Sequence, residues 1–197
     1  MKILALDSSG LVASVAVVEN DTLLAEYTVN YKKTHSQTLL PMLDEISNMT
    51  ELDLSTIDAI AVAGGPGSFT GLRIGSATAK GLGLALEKPL ISIPTTAAIA
   101  YNIWDTDKFV CPIMDARRNQ VYTGVYCYTD HRLDTVWEQD TMSIEALAEG
   151  LNCLDHEVIF LGDGVAVYRE KLEALLTIPF SFAPAHVNRQ RAAACLL

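Results

Sequence analysis

No Cys-x-x-Cys pair occurs in this 197-residue chain, whose four cysteines, Cys111, Cys127, Cys153 and Cys195, stand far apart. That spacing excludes a zinc ribbon and a thioredoxin-type redox motif. Each cysteine lies among apolar or small residues, so all four are expected to be free thiols buried as small hydrophobes. His35, His131, His156 and His186 are equally scattered. No two have the spacing of a metal-binding pair, and they read as surface or capping histidines. Positive charge is scarce: 14 Lys and Arg against 24 Asp and Glu leave a net charge of −10. A surface that grips nucleic acid unaided needs the opposite balance, and Arg117-Arg118 is a local basic spot against that background. The N-terminus lacks a cleavable signal pattern. No apolar run is long enough to span a bilayer. A soluble cytoplasmic protein, away from membranes, is the expectation.

Half of the residues are hydrophobic, enough for a real core. The most informative stretch is residues 64–73, Gly-Gly-Pro-Gly-Ser-Phe-Thr-Gly-Leu-Arg. It follows an apolar run at 57–63 that reads as a buried strand, and it precedes a helical stretch at 74–86. Strand, glycine-rich turn and helix is an arrangement in which backbone N–H groups converge on an anion. No Lys-Ser or Lys-Thr pair closes the loop as in a P-loop, and the spacing misses the dinucleotide fingerprint. Ser68 sits where a nucleophile elbow would carry its serine, but Pro66 stands in the place of the first glycine, which argues against a serine nucleophile. The loop of Gly65, Pro66, Gly67, Ser68, Phe69 and Thr70 therefore reads as a tight turn or a close contact.

The order of elements repeats. Strands are expected at 2–9, 13–18 and 23–29, the first ending in Asp-Ser-Ser-Gly. A helix follows at 36–49, with Ser36 as N-cap, Leu39, Leu40, Leu43 and Ile46 at helical spacing, and Pro41 near the first turn. A strand at 58–63, a helix at 70–86 and a strand at 89–94 complete the first half. The second half has strands at 109–116, 121–128 and 133–141, then a helix at 144–151 capped by Ser143. A strand at 158–161 runs through Gly162-Asp163-Gly164 into a helix at 165–176. Each half thus spells three strands, a helix, a strand, a glycine-rich turn and a helix. This points to an α/β protein of the duplicated actin-like ATPase architecture, in the ribonuclease H-like class, with lobes at 1–103 and 104–197 and a polar boundary at 102–108. A single doubly wound sheet is the alternative. Asp7 and Asp115 end equivalent strands. With Ser8, Ser9, Gly162 and Gly164 they are candidates for a vestigial nucleotide cleft. The competing reading is Asx turns at strand ends and a tight strand-to-helix turn.

Gly71, Gly75, Ala79 and Gly83 recur every four residues, on one helix face. Interior helix glycine costs roughly 1 kcal/mol relative to alanine, so close approach of another backbone must compensate. That backbone belongs either to the chain's own sheet or to another chain. A second apolar face, Leu72, Leu82, Leu84 and Leu86, leaves one face for the core and one for a partner. The candidate partner interface is therefore Leu39, Leu43, Gly71, Arg73, Gly75, Ala79 and Gly83. Arg73 lies in the first helical turn, where the macrodipole disfavours a cation, and a carboxylate of this chain or of its partner is expected to offset that cost.

Taken together, Leu4-Ala5-Leu6-Asp7-Ser8-Ser9, His35-Ser36 with Leu39-Leu40-Pro41, the run from Gly65 through Pro66, Gly67, Ser68, Phe69, Thr70, Gly71, Leu72, Arg73 and Ile74 to Gly75, and Asp115-Ala116-Arg117-Arg118 with Val121-Tyr122 resemble the TsaB (YeaZ) family of the bacterial tRNA threonylcarbamoyladenosine system. The resemblance covers nearly the whole chain, and its most specific block is Gly-Pro-Gly-Ser-Phe-Thr-Gly-Leu-Arg. It implies the actin-like fold and a scaffold and activator without catalytic residues. The catalytic relative would be TsaD, which carries the metal-binding histidines and the transferase site. It further implies pairing with TsaD, recruitment of the ATPase TsaE, and contact with tRNA only through the complex. Alone, the chain would form a homodimer through its first two helices. No cofactor is required by the chain itself and no metal is expected, and the interface of the complex is a candidate site for ATP or ADP. Two departures stand out. Gln120 replaces a usual Glu, and residues 188–197 are expected to be a helix after which the family runs on to a final strand. The rival readings are an actin-like enzyme that hydrolyses nucleotide alone, and a glycoprotease-like peptidase, for which no nucleophile or metal site is found.

Overall fold

The computed structural model describes residues 1–31 and 35–195. Its strands, in chain order, are β1 (Lys2–Asp7), β2 (Ala13–Glu19), β3 (Thr22–Val29), β4 (Ala59–Gly65), β5 (Leu90–Pro94), β6 (Phe109–Arg117), β7 (Gln120–Thr129), β8 (Arg132–Ser143), β9 (Val158–Leu161) and β10 (Phe180–Phe182). The helices are α1 (Leu39–Thr50), α2 (Phe69–Leu86), α3 (Thr95–Ala100), α4 (Ile144–Leu154) and α5 (Val165–Leu175). The strands form two five-stranded sheets, ordered β3-β2-β1-β4-β5 and β8-β7-β6-β9-β10. In each sheet the first three strands are an antiparallel meander and the last two are added in parallel. The two sheets share one topology, position for position, and the repeated element order is thus a structural duplication.

Two compact units result. One comprises Met1–Ala98 and the segment from Gln190 onward, the other Ile99–Arg189. This departs from the contiguous halves 1–103 and 104–197. The final segment is not the helix expected at 188–197 but, within the described residues, a short 3-10 turn, Ala192–Cys195, that joins the first unit. Three contacts fix it there. Ala192 N donates to Ser14 Oγ at 2.9 Å, Ala193 N donates to Glu26 Oε1 at 3.1 Å, and the Arg191 guanidinium pairs with Glu26. These tertiary partners override the helical tendency of the alanine run.

In the first unit, side chains alternate across the sheet as strand geometry demands. Leu4, Leu6, Val15, Val17, Ile60 and Val62 meet α1 and α2 on one face. Ala5, Ala16, Ala61 and Ala63 line the other, where Ala98, Ala192 and Cys195 pack on them. Helix α1 buries Leu39, Met42, Leu43 and Ile46, the i, i+3, i+4, i+7 stripe of an amphipathic helix. Leu40, expected on that stripe, is 53% exposed, and Met42 takes its place. Thr38 holds the N-cap position expected for Ser36, which lies in a 3-10 turn, His35–Gln37. In the second unit, α4 and α5 cover Cys111, Ile113, Val121, Val125 and Phe160. Ser143 caps α4, accepting from Ala146 N at 3.1 Å. All four cysteines are free; Cys111 and Cys195 are buried, whereas Cys127 is half-buried and Cys153 is exposed on the outward side of α4. No helix among the described residues is long and apolar enough to cross a membrane.

Candidate partner surface and the loop behind it

The glycine-rich loop carries the chain from β4 into α2. Ser68 is the N-cap of α2, its Oγ accepting from Gly71 N at 3.3 Å. Its own N–H donates to Ser9 O at 2.7 Å. The serine therefore serves as cap and strut, a use for which the elbow spacing is irrelevant. Gly67 and Gly71 are glycines because of what lies against them. A Cβ on Gly67 would sit 2.3 Å from Ser9 O, and one on Gly71 would sit 2.0 Å from Ser8 O. Ser8 Oγ returns a hydrogen bond to Gly71 O at 2.9 Å. The loop and first turn of α2 are thus pressed onto the turn that follows β1.

The same contact explains the small-residue stripe and corrects its assignment. Gly71, Gly75, Ala79 and Gly83 are the buried residues of α2. A Cβ on Gly75 would lie 2.6 Å from Ser8 Oγ, and one on Gly83 would lie 2.8 Å from Leu90 Cδ2. The stripe faces the chain's own sheet. Leu39 and Leu43 are buried in the same core, so of the seven residues expected to meet a partner, only Arg73 stands on the outside.

The outward face of α2 consists of Phe69, Arg73, Ala77, Lys80 and Leu84, with Phe69 68% and Leu84 84% exposed. Their spacing of three and four is that of a helix stripe, and this was the signal available in the sequence. Leu82 and Leu86, grouped there with Leu84, instead pack on the core. A shallow groove of about 350 Å³ runs along the outward face, lined by Phe69, Leu72, Arg73, Ser76, Ala77 and Lys80. Arg73 carries its guanidinium 3.8 Å above the Phe69 ring, so within the chain the cation is held by an aromatic face, and no carboxylate among the described residues pairs with it. Helix α1, on the same side of the sheet, adds exposed Leu40 and Met49, the latter 77% exposed, beside exposed Asp44 and Glu45.

The residues expected in a nucleotide cleft are engaged locally. Asp7, Ser8 and Ser9 are buried. Asp7 Oδ1 accepts from Ser9 N at 2.8 Å and from Ser9 Oγ at 2.7 Å, an Asx turn, and Cys195 Sγ lies 4.0 Å from Oδ2. Burial raises the Asp7 carboxyl above the usual aspartate range, against the opposing pull of the Ser9 bonds. The Gln190 side chain fills the space a Cβ on Gly10 would need, with Nε2 2.2 Å from that position. His35 Nε2 and Gly10 O are 2.8 Å apart. In the second unit Asp115 is exposed, and its Oδ1 accepts from Arg117 N and Tyr168 OH, each at 2.9 Å. Gly162 has φ +101° and would place a Cβ 2.2 Å from Ile113 O, while Gly164 N donates to that oxygen at 3.0 Å. Gly162-Asp163-Gly164 is a tight strand-to-helix turn leaning on β6. Among the described residues, no group of three His, Cys, Asp or Glu side chains could hold a metal ion.

The chain's kinship is clear against this geometry. A family model described as TsaD, tRNA N6-adenosine threonylcarbamoyltransferase, matches residues 22–196. The tRNA threonylcarbamoyladenosine biosynthesis protein TsaB of Bacillus subtilis (strain 168) is 35% identical over 176 residues, which cover 89% of this chain and 77% of that one. The solved structure of YeaZ from Pseudomonas aeruginosa superposes with a TM-score of 0.82 at 27% identity, covering 99% of this chain and 88% of that chain. The ROK hexokinase of Thermus thermophilus, at 15% identity and a TM-score of 0.52 over 100% of this chain and 96% of its own, shares the fold alone. The twin sheets are therefore the duplicated actin-like fold, and in sequence and structure alike the chain belongs to the TsaB family.

Proposed function

We propose that this chain serves tRNA threonylcarbamoyladenosine biosynthesis as a scaffold and activator subunit, leaving the chemical step to a TsaD-type transferase that it binds. The single observation that carries the reading is the outward face of α2. Phe69, Arg73, Ala77, Lys80 and Leu84 leave apolar surface and two cations uncovered, with Leu40 and Met49 of α1 exposed on the same side of the sheet. Exposed aromatic and Arg side chains around an apolar strip are the composition of interface anchors. Helix α2 has no acidic residue of its own, so the docking partner is expected to offer carboxylates to Arg73 and Lys80. In the isolated chain a second copy can meet the same face, the Asp44 and Glu45 side of α1 complementing the cationic side of α2 about a twofold axis. The assembled pair recruits the ATPase TsaE, ATP or ADP sits at the interface of the complex, and the reaction runs in the cytoplasm.

The test is reconstitution with TsaD- and TsaE-type partners. Threonylcarbamoyl transfer to tRNA should depend on this chain, and Leu84→Glu should raise the concentration of chain needed while leaving the plateau rate unchanged. Transfer that proceeds equally without the chain, or a lowered plateau at saturation, would count against a scaffold.

A further inference from the structure

The net charge of −10 makes free cations conspicuous. Lys2, Lys108, Arg169, Lys171 and Arg191 are paired with Glu19, Glu157, Glu173, Glu145 and Glu26. Arg117 and Arg118 differ. Both are exposed, and neither guanidinium has a hydrogen bond, ion pair or ring contact with any described residue. They stand side by side at the tip of the β6–β7 hairpin.

Their backbone is unusual for arginine. Arg117, Arg118 and Asn119 all lie in the left-handed region, with φ of 65°, 52° and 62°. Asn tolerates that region because its short side chain bonds locally; arginine has no such compensation. The β7–β8 tip makes the same turn with Asp130 and His131, residue types enriched there. Two arginines thus occupy positions that sterics would give to Asn or Gly.

The tip is braced from both sides. Asp115 Oδ1 accepts from Arg117 N at 2.9 Å and from Tyr168 OH at 2.9 Å. Burial, together with Asp115, pushes the Tyr168 phenol up to about 12, so it remains a donor. Asn119 Nδ2 donates to Glu145 Oε2 at 2.6 Å, Lys171 Nζ donates to Asn119 Oδ1, and Ile144 N donates to Asn119 O at 3.3 Å. The nearby carboxylates, Asp115 and Glu145, therefore accept from other donors and form no ion pair with either guanidinium.

We propose that the Arg117–Arg118 tip is a preorganised finger that contacts the tRNA phosphate backbone. This gives the chain an RNA contact of its own, beyond scaffolding; the choice of tRNA rests on the proposed function. RNA is favoured over an acidic protein because the tip lacks an apolar anchor. Its neighbours Ala116 and Asn119 are half-buried and small or polar, whereas protein interfaces are built around large buried side chains. Phosphate contact needs only positioned cations.

The experiment is fluorescence anisotropy of labelled tRNA titrated with the full chain, alone at low salt and assembled with its TsaD- and TsaE-type partners. The variants are Arg117→Gln/Arg118→Gln, the charge-keeping Arg117→Lys/Arg118→Lys, and Arg132→Gln as an exposed control on the other hairpin. The Gln pair should weaken tRNA binding and shrink the slope of log affinity against log salt by about 1–2. The Lys pair should recover most of the affinity, and Arg132→Gln should change neither quantity. Unchanged affinity and slope for the Gln pair in both arms would overturn the proposal. So would an unchanged tRNA affinity with weakened partner binding, which would assign the tip to an acidic protein. The isolated-chain arm reads tRNA contact even if the partners do not assemble, which separates failure of this proposal from failure of the scaffold reading.

Discussion

Arg73 rests its guanidinium over the ring of Phe69, one turn earlier in α2, at 3.8 Å. The contact offsets the macrodipole penalty for a cation in the first helical turn. It also turns two exposed side chains into one plate. Removing either member spoils the plate and leaves the core beneath untouched.

Phe69→Ala and Arg73→Ala should each weaken binding to a TsaD-type partner by about tenfold or more, the range expected of interface anchors. Because both residues are exposed, unfolding free energies should move by no more than about 0.5 kcal/mol. Partner titration by calorimetry, alongside urea unfolding, checks both halves of the claim.

Leu84→Glu places a charge on the most exposed large apolar residue of α2. The isolated protein should shift toward monomer in sedimentation velocity, with its circular dichroism unchanged. A wild-type-like dimer for this variant would move the interface elsewhere.

Gly71→Ala is expected to harm the fold itself. The added methyl would meet Ser8 O at 2.0 Å, and relief requires α2 to lift from the turn after β1. A loss of about 1–3 kcal/mol or more is expected, as for overpacking. Ser68→Ala removes the cap and should cost about 1 kcal/mol. In both cases, activity at saturating partner should survive in whatever fraction remains folded.

Asp7→Asn probes the buried carboxyl. A carboxyl whose folded value is raised binds its proton more tightly in the native state, so its contribution is fully present below the ordinary aspartate range. That contribution is lost as pH rises through the raised value. Above the ordinary aspartate range the wild type therefore either buries a charge or holds a proton against the solution, a cost the amide avoids while keeping Oδ1 for the Ser9 bonds. The Asp7→Asn variant should melt higher than wild type at a pH of about 7.5, and the gap should close as pH falls toward about 4, the ordinary aspartate range. A gap independent of pH would place the effect in packing.

Much of this was legible in the chain. Ser143 before an apolar helical stripe marked the start of α4, and the meander strands announced themselves by apolar runs such as Ala13 to Val18, interrupted only by Ser14. The duplication followed from element order because both sheets reuse one topology. The stripe of Gly71, Gly75, Ala79 and Gly83 does mark a site of close approach, but the neighbour is the chain's own sheet and not a partner. Small residues record that a backbone comes near, and nothing about whose it is. Asp7 and Ser9 illustrate a similar limit: the Asx-turn geometry and the open phosphate nest use the same residue types, and the burial of both residues separates them. The segment ending at Cys195 misled through local propensity, since its true partners, Ser14 and Glu26, are more than 160 residues away in sequence.

The return of Gln190 to Cys195 to the first unit has a consequence for how the protein is made. The second unit is one unbroken stretch, whereas the first is closed by residues synthesised after it. On the ribosome, the alanine face of Ala5, Ala16, Ala61 and Ala63 waits without Ala192 and Cys195 while the whole of Ile99–Arg189 emerges. The unit that is translated earlier is thus packed in part by residues translated later, and a chain stalled between the two carries Ile99–Arg189 tethered to a first unit without the packing of Ala192 and Cys195.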